Sequence, residues 1–165
     1  MSRRQSQRQW RSEDITQMPG FLIRRCNQVA MAIFIEETAE YDLSPAQYGA
    51  LGLIAAEPGL DQTRLTHRSG LDRSSVTKCV ERLETRGAIR READLDDRRA
   101  RRLYPTENGL KLLGAIEASV VRAQERVLAP LGKERAEQFL SMLVEIASSN
   151  NATSRVPMRA VYEDI

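Results

Sequence analysis

The sequence predicts a mainly α fold carrying one small β-hairpin. Apolar residues recur at three- and four-residue steps through most of the chain. Helix-start residues and glycine stops punctuate that pattern. The periodicity breaks once, between Gly87 and Thr106, into two short runs joined by a charged turn. The length of 165 residues suits one compact unit. Hydrophobic residues at 41% and charged residues at 29% describe a foldable globular chain, not a disordered one. No apolar run approaches the roughly 18 residues that span a bilayer. The opening SRRQSQRQWRSED leads into no secretory h-region, so the expected address is cytoplasmic and no membrane partner is expected.

Residues 1–14 are polar and basic without apolar periodicity and read as a flexible arm. Helical patterning begins near Asp14 or Met18 and runs to about Tyr41, with Leu22, Cys26, Val29 and Ile33 on one stripe and Phe21, Ala30 and Phe34 widening it. Ser44 reads as an N-cap with Pro45 at the first helical position, opening a second helix that ends at Glu57-Pro58-Gly59. Asp61 caps a short third helix carrying Leu65 and ending at Ser69-Gly70. Leu71-Asp72 leads into a fourth, running to about Arg86 and stopped by Gly87 at the C′ position. Residues 88–93 and 101–104 read as two strands around the turn 94–100. Thr106 caps a fifth helix, with Leu110, Leu113, Ile116 and Val120 on one face, ending near Ala129-Pro130. A sixth runs from about Lys133 to Ser148, and residues 150–165 form a tail without a strong pattern.

Short helix, tight turn, helix, hairpin is the order of a winged helix-turn-helix. On a wheel at about 100° per residue, the fourth helix puts Val76, Cys79, Val80 and Leu83 on one side. Ser74, Thr77, Lys78 and Glu81 fall opposite, with Arg73 at the N-terminal end and Ser75 and Arg82 on the flanks. Small hydroxyls and cations suit a helix that approaches phosphates and base edges. Net charge is only +2, from 25 basic and 23 acidic residues, so distribution has to decide the partner. Residues 86–102 carry seven arginines against four carboxylates, which favours a polyanion. In the turn, Asp97-Arg98-Arg99 can present an arginine to a minor groove, with Asp97 orienting Arg99. A polar helix face or a basic hairpin alone is ordinary solvated surface. Their conjunction at this spacing points to DNA.

Residues 71–109, LDRSSVTKCVERLETRGAIRREADLDDRRARRLYPTENG, resemble the signature block of MarR-type regulators. The shared features are a hydroxyl-rich recognition helix, the RLETRG exit, the Asp97-x-Arg99 wing and the Leu103-x-x-Thr106-x-x-Gly109 entry to the next helix. The resemblance covers roughly residues 18–148. It implies a homodimer whose first, fifth and sixth helices interlock (15–43 and 105–149), with a winged lobe at 44–104 reading a pseudo-palindromic operator in double-stranded DNA. It implies further that Arg73, Ser74, Ser75, Thr77 and Lys78 lie at recognition-helix positions, and that Asp97 and Arg99 match the wing pair. Arg82 and Arg98 complete the expected contact set. Apolar stripes on the first, fifth and sixth helices, more than one small lobe can cover, agree with a homodimer.

The first-helix segment PGFLIRRCNQVAMAIF resembles members that answer to aromatic acids or their coenzyme A thioesters. On that reading the effector is a small aromatic acid or aryl-CoA, and the chain is a repressor that it releases from DNA. Arg24 or Arg25 would anchor the anion, with Met31, Phe34 and Tyr48 lining a slot for the ring. The same residues also fit a core and surface ion pairs. Cys26 lies on the apolar stripe and Cys79 on the buried side of the fourth helix, where thiols are inert small hydrophobes. His67 is expected to face solvent. One histidine and two cysteines build no familiar metal site, so no metal or cofactor is expected. With no phosphate loop after a strand and no Ser-His-Asp set, the chain does not read as an enzyme. An effector-free constitutive DNA binder and a winged-helix protein-interaction module are the alternatives.

Overall fold

A computed structural model describes residues 11–94 and 101–159. Among these residues seven helices, α1 (Ser12–Thr16), α2 (Pro19–Glu37), α3 (Pro45–Ala56), α4 (Gln62–Ser69), α5 (Arg73–Thr85), α6 (Glu107–Leu128) and α7 (Gly132–Ser149), surround a small sheet of β1 (Leu60–Asp61), β2 (Ile89–Ala93) and β3 (Arg101–Pro105). The sheet is antiparallel in the order β1-β3-β2, with Arg91 opposite Leu103 and Leu60 opposite the same leucine on the other edge. This is the winged helix-turn-helix fold that the element order predicts.

Local chemistry sets most boundaries as expected. Ser44 accepts from the Gln47 amide while the Gln47 side chain reaches back to the Ser44 amide, a full capping box. Asp61, Asp72 and Thr106 cap α4, α5 and α6 through their side-chain oxygens. Gly87 ends α5 at φ +69°, a conformation that a Cβ would resist.

Elsewhere the structure corrects the sequence reading. The first predicted helix is broken at Gln17-Met18, because Pro19 supplies no N–H and starts a new helix. The supposed arm is helical from Ser12, held by the Asp14 carboxylate on the Arg11 amide. The sequence pattern does not predict β1: two residues are too short to show an alternation, and only pairing with β3 makes them a strand. Leu110 is 52% exposed although the wheel places it on the inner face, and Leu112 packs partly inward instead. The described part of the tail is held in place. Asn151 exchanges two hydrogen bonds with the Met158 backbone at 2.8 and 2.9 Å, and the Arg159 amide donates to the His67 carbonyl at 3.2 Å. His67 is therefore half-buried, not solvent-facing.

The core lies between α3, α4, α5, the sheet and α6. Leu51, Ile54, Leu60, Leu65, Val76, Val80, Leu83, Leu103 and Ile116 are all essentially inaccessible there. α2 packs along α6 and is pinned by the Tyr41 hydroxyl donating to the Ala115 carbonyl at 2.7 Å. Arg126 pairs with both Glu36 and Glu37 at 3.0 Å, and Arg122 adds a 3.4 Å pair to Glu37. Those guanidiniums, Arg126 foremost, hold the Glu37 carboxyl below its ordinary range. α7 contains no buried residue, and Leu140, Met142, Leu143, Val144 and Ile146 lie open on it, as do Leu22, Ile23, Val29, Met31 and Ile35 on α2. Cys26 is exposed on α2 and not buried on a stripe, because nothing among the described residues covers that face.

Candidate nucleic-acid interface

α5 is built to hold one face in and one face out. Val76, Cys79, Val80 and Leu83 are buried, as the wheel predicts. Burial pushes the Cys79 thiol up, so it stays protonated. On the outer side Arg73, Ser74, Lys78, Glu81 and Arg82 are exposed, while Ser75 and Thr77 are half-buried.

The hydroxyls are committed differently from the sequence expectation. The Ser74 hydroxyl donates to Asp72 Oδ1 at 2.7 Å, and Ser75 donates its hydroxyl to Oδ2 and its amide to Oδ1, both at 2.9 Å. Together these bonds hold the Asp72 carboxyl at about 2, the Ser74 hydroxyl being the largest cause. Thr77 donates back to the Arg73 carbonyl at 2.9 Å. With their protons turned inward, the three hydroxyls present only acceptor lone pairs. They suit the exocyclic amines of adenine or cytosine better than phosphate. The donors on this face are Arg73, Lys78 and Arg82, and none has a carboxylate partner among the described residues. Three exposed cations on one helix, without a carboxylate partner among the described residues, suit an outside anion.

The arginine-rich segment after α5 divides into two groups. Arg90 pairs with Glu92 at 2.7 Å and lies 5.0 Å over the Tyr104 ring. Arg91 pairs with Glu84 at 2.9 Å, tying β2 back to α5. Arg102 donates through Nε to the buried Asp94 carboxylate and through Nη1 to the Gly59 carbonyl at 3.1 Å. These three arginines are committed within the fold: Arg90 braces the hairpin, Arg91 ties it to α5 and Arg102 ties it to the α3–α4 turn, so a raw count overstates the charge offered to a polyanion. Asp97, Arg98 and Arg99 lie outside the described residues.

Phe34 is buried and its ring sits 5.9 Å from that of Tyr48, so these two meet at the edge of the core. Arg24, Arg25 and Met31 do not join them: all three are exposed on α2, with Arg24 5.0 Å over the Phe21 ring and bonded to Gln28 at 3.3 Å. A cavity of about 670 Å³ opens elsewhere, where the end of α2 and the start of α3 meet the end of α5. Arg82 and Arg86 reach it, and Arg86 Nη1 donates to the Asp42 carbonyl at 2.8 Å. Arg86 escaped the sequence reading, although Ser74, Lys78, Arg82 and Arg86 form one i, i+4 row that marks it. Among the described residues no group of three or more His, Cys, Asp or Glu side chains gathers for a metal, and no helix is long and apolar enough to cross a membrane.

Comparison with known proteins agrees with this geometry. The model of the MarR family matches residues 41–100. A protein of Thauera aromatica named as a transcriptional regulator for the hcr operon is 33% identical over 135 residues, covering 81% of each chain. The solved PcaV transcriptional regulator of Streptomyces coelicolor, in complex with its natural ligand, superposes with a TM-score of 0.77 at 32% identity, covering 85% of this chain and 99% of that one. The transcriptional repressor CouR on a 23-mer DNA duplex gives 0.77 at 28% identity, covering 84% and 99%. The same repressor bound to p-coumaroyl-CoA gives 0.76 at 26%, covering 84% and 98%.

Proposed function

This chain belongs to the MarR family of transcriptional regulators, and from that membership we propose that it is a repressor that binds a pseudo-palindromic operator as a homodimer. The observation that carries the DNA half is the set of exposed cations on α5, Lys78 and Arg82 on its outer side and Arg73 at its N-terminal end, without carboxylate partners among the described residues. In this reading α5 enters the major groove, Ser74, Ser75 and Thr77 face base edges, and the wing residues Asp97, Arg98 and Arg99 reach the adjacent minor groove. Half-sites lie about one helical turn apart. The homodimer accounts for the open apolar faces of α2 and α7, which an isologous interface would bury.

The effector half is supported by likeness to PcaV and CouR, solved with a natural ligand and with p-coumaroyl-CoA. We take the effector to be an aromatic acid or its coenzyme A thioester, anchored by Arg24 or Arg25 on α2 with Met31 beside it. Both guanidiniums lie on the face left open for the second subunit, so this anchor is completed by the dimer. Effector binding changes the separation of the two lobes and with it the fit to both half-sites.

The test is fluorescence anisotropy of the full chain on fragments of its own upstream region, titrated with salt, with Arg99→Ala beside the wild type. Site-selective binding whose log K falls linearly with log salt, and which the variant loses while keeping its dimer, is the expected result. Weak binding indifferent to sequence and to Arg99 would refute it and favour a protein-interaction role. DNA binding that no aromatic acid or thioester relieves would leave an effector-free binder.

A further inference from the structure

We propose that Asp72 is a positioning residue that sets the base preference of α5. By taking the hydroxyl protons of Ser74 and Ser75 it leaves both oxygens as acceptors. The first turn of α5 then selects bases that offer an exocyclic amine, adenine or cytosine. This rests on the reading of α5 as the helix that enters the major groove, and it names the bases that its first turn prefers.

An ionised carboxylate accepts hydrogen bonds and donates none. Asp72 is held in that state, its carboxyl titrating at about 2. Every proton between it and the two serines therefore comes from the serines. Oδ1 takes the Ser74 hydroxyl at 2.7 Å and the Ser75 amide at 2.9 Å, and Oδ2 takes the Ser75 hydroxyl at 2.9 Å. Capping α5 requires only the bond from the Ser75 amide. The two hydroxyl bonds are not needed for the cap; what they fix is the direction of the hydroxyl protons. Thr77 turns its own proton to the Arg73 carbonyl at 2.9 Å, so all three hydroxyls of this turn are committed as donors and open as acceptors. Ser74 is exposed on the outer side of α5, with Ser75 half-buried beside it. The Asp72 charge also answers the positive end of the helix and repels phosphate, which suits this turn to a base edge and not to the DNA backbone.

Major-groove edges then sort into two kinds for each serine. Adenine N6 and cytosine N4 donate, whereas guanine O6 and N7 and thymine O4 accept. A serine acceptor set against a keto oxygen leaves two desolvated acceptors with no proton between them, which is worse than a missing contact. Asp72→Asn changes one serine and not the other. The asparagine oxygen must stay on the Ser75 amide to keep the cap, and there it still accepts from Ser74. Its NH2 then stands where Oδ2 was, against the Ser75 hydroxyl oxygen. Ser75 accepts from that NH2 and turns its own proton outward, changing from acceptor to donor. Its preferred partner changes with it, from adenine or cytosine to guanine or thymine.

The experiment uses the full-length protein. In vitro selection from a randomised duplex pool gives the wild-type site. Fluorescence anisotropy then measures that duplex with each base pair of a half-site replaced in turn. Purine for adenine and pyrimidin-2-one for cytosine are included as analogues that lack only the amine. Wild type is run beside Ser74→Ala, Ser75→Ala and Asp72→Asn, all checked for native circular dichroism. The readout is the ratio of affinities between duplexes, because a weakened cap or a loss of folded protein lowers all of them together. At the positions whose preference disappears in Ser74→Ala or Ser75→Ala, wild type is expected to favour adenine or cytosine over guanine or thymine on the same strand by at least roughly fivefold. Removing the amine weakens wild type by a similar factor and leaves the matching alanine variant unaffected. In Asp72→Asn the Ser75 position turns to guanine or thymine, while the Ser74 position keeps its preference. A wild-type pattern at every position in Asp72→Asn would overturn the proposal. So would serine-dependent positions that prefer guanine or thymine in the wild type, or two alanine variants that keep the wild-type pattern. Each of these outcomes leaves site-selective DNA binding standing. Wild-type protein that selects no site would overturn the proposal together with the reading it rests on.

Discussion

Gly109 sits in the first turn of α6, where a methyl group has no room. A Cβ there would lie 2.9 Å from the carbonyl carbon and 3.3 Å from the Cα of Ala88, and closer still to its oxygen. That oxygen cannot move freely, because it accepts from the Thr106 amide at 3.0 Å while the Ala88 amide donates to the Leu83 carbonyl at 2.9 Å. Thr106 in turn donates to the Gly87 carbonyl at 2.6 Å and caps the Gly109 amide at 3.1 Å. Gly109→Ala gains at most about 1 kcal/mol of helix propensity. Against this stand about 1–3 kcal/mol for forcing backbone apart in a packed place and about 1 kcal/mol for the loosened Thr106–Ala88 bond. The clash wins by about 2 kcal/mol, which for a chain of this size lowers Tm by roughly 4–8 °C. Thermal melts by circular dichroism at one fixed protein concentration measure it. An unchanged or raised Tm would refute the close approach and with it the packing of α6 on the β2 entry.

The other expectations concern α5. Arg73→Ala and Lys78→Ala should weaken binding to all DNA sequences alike and each reduce the salt slope by roughly 0.9; an unchanged slope in anisotropy titrations would remove that residue from phosphate contact. Asp72 titrates at about 2 in the folded chain against about 3.9 unfolded. Its charge therefore stabilises the fold fully above about pH 4, and that contribution disappears as the pH falls through about 2. The Tm gap between wild type and Asp72→Asn should narrow in melts run from about pH 4 toward about pH 2, and a gap that stays constant would contradict the hydroxyl cage. Native protein should give no more than one fast thiol with a disulfide reagent, at Cys26, with Cys79 reacting only after unfolding in urea; two fast thiols would mean that α5 is loosely seated.

Much of this molecule is legible one residue at a time. Ser44, Asp61, Asp72 and Thr106 announce helix starts because an N-cap is a local hydrogen bond, and Gly87 announces a stop because a positive φ is a property of one residue. The inner row Val76, Cys79, Val80 and Leu83 follows from the period of the helix alone. The outward row of Ser74, Lys78 and Arg82 is legible for the same reason, as positions on a wheel.

What those positions can do was decided by neighbours distant in sequence or invisible to a composition count. Arg90, Arg91 and Arg102 look like free charge until Glu92, Glu84 and Asp94 are brought against them. Leu60 and Asp61 form a strand only because Leu103 and Arg102 arrive beside them. The cavity needs three elements to meet, and it brings Arg86 against Asp42, 44 residues away, a contact that no period could reveal. By itself the sequence determined helices, caps and which faces are apolar, since these depend on local hydrogen bonds and periodicity. Only the tertiary structure decided which charges are spent and which remain available, because an ion pair or a pocket is a relation between chain segments that folding alone brings within reach.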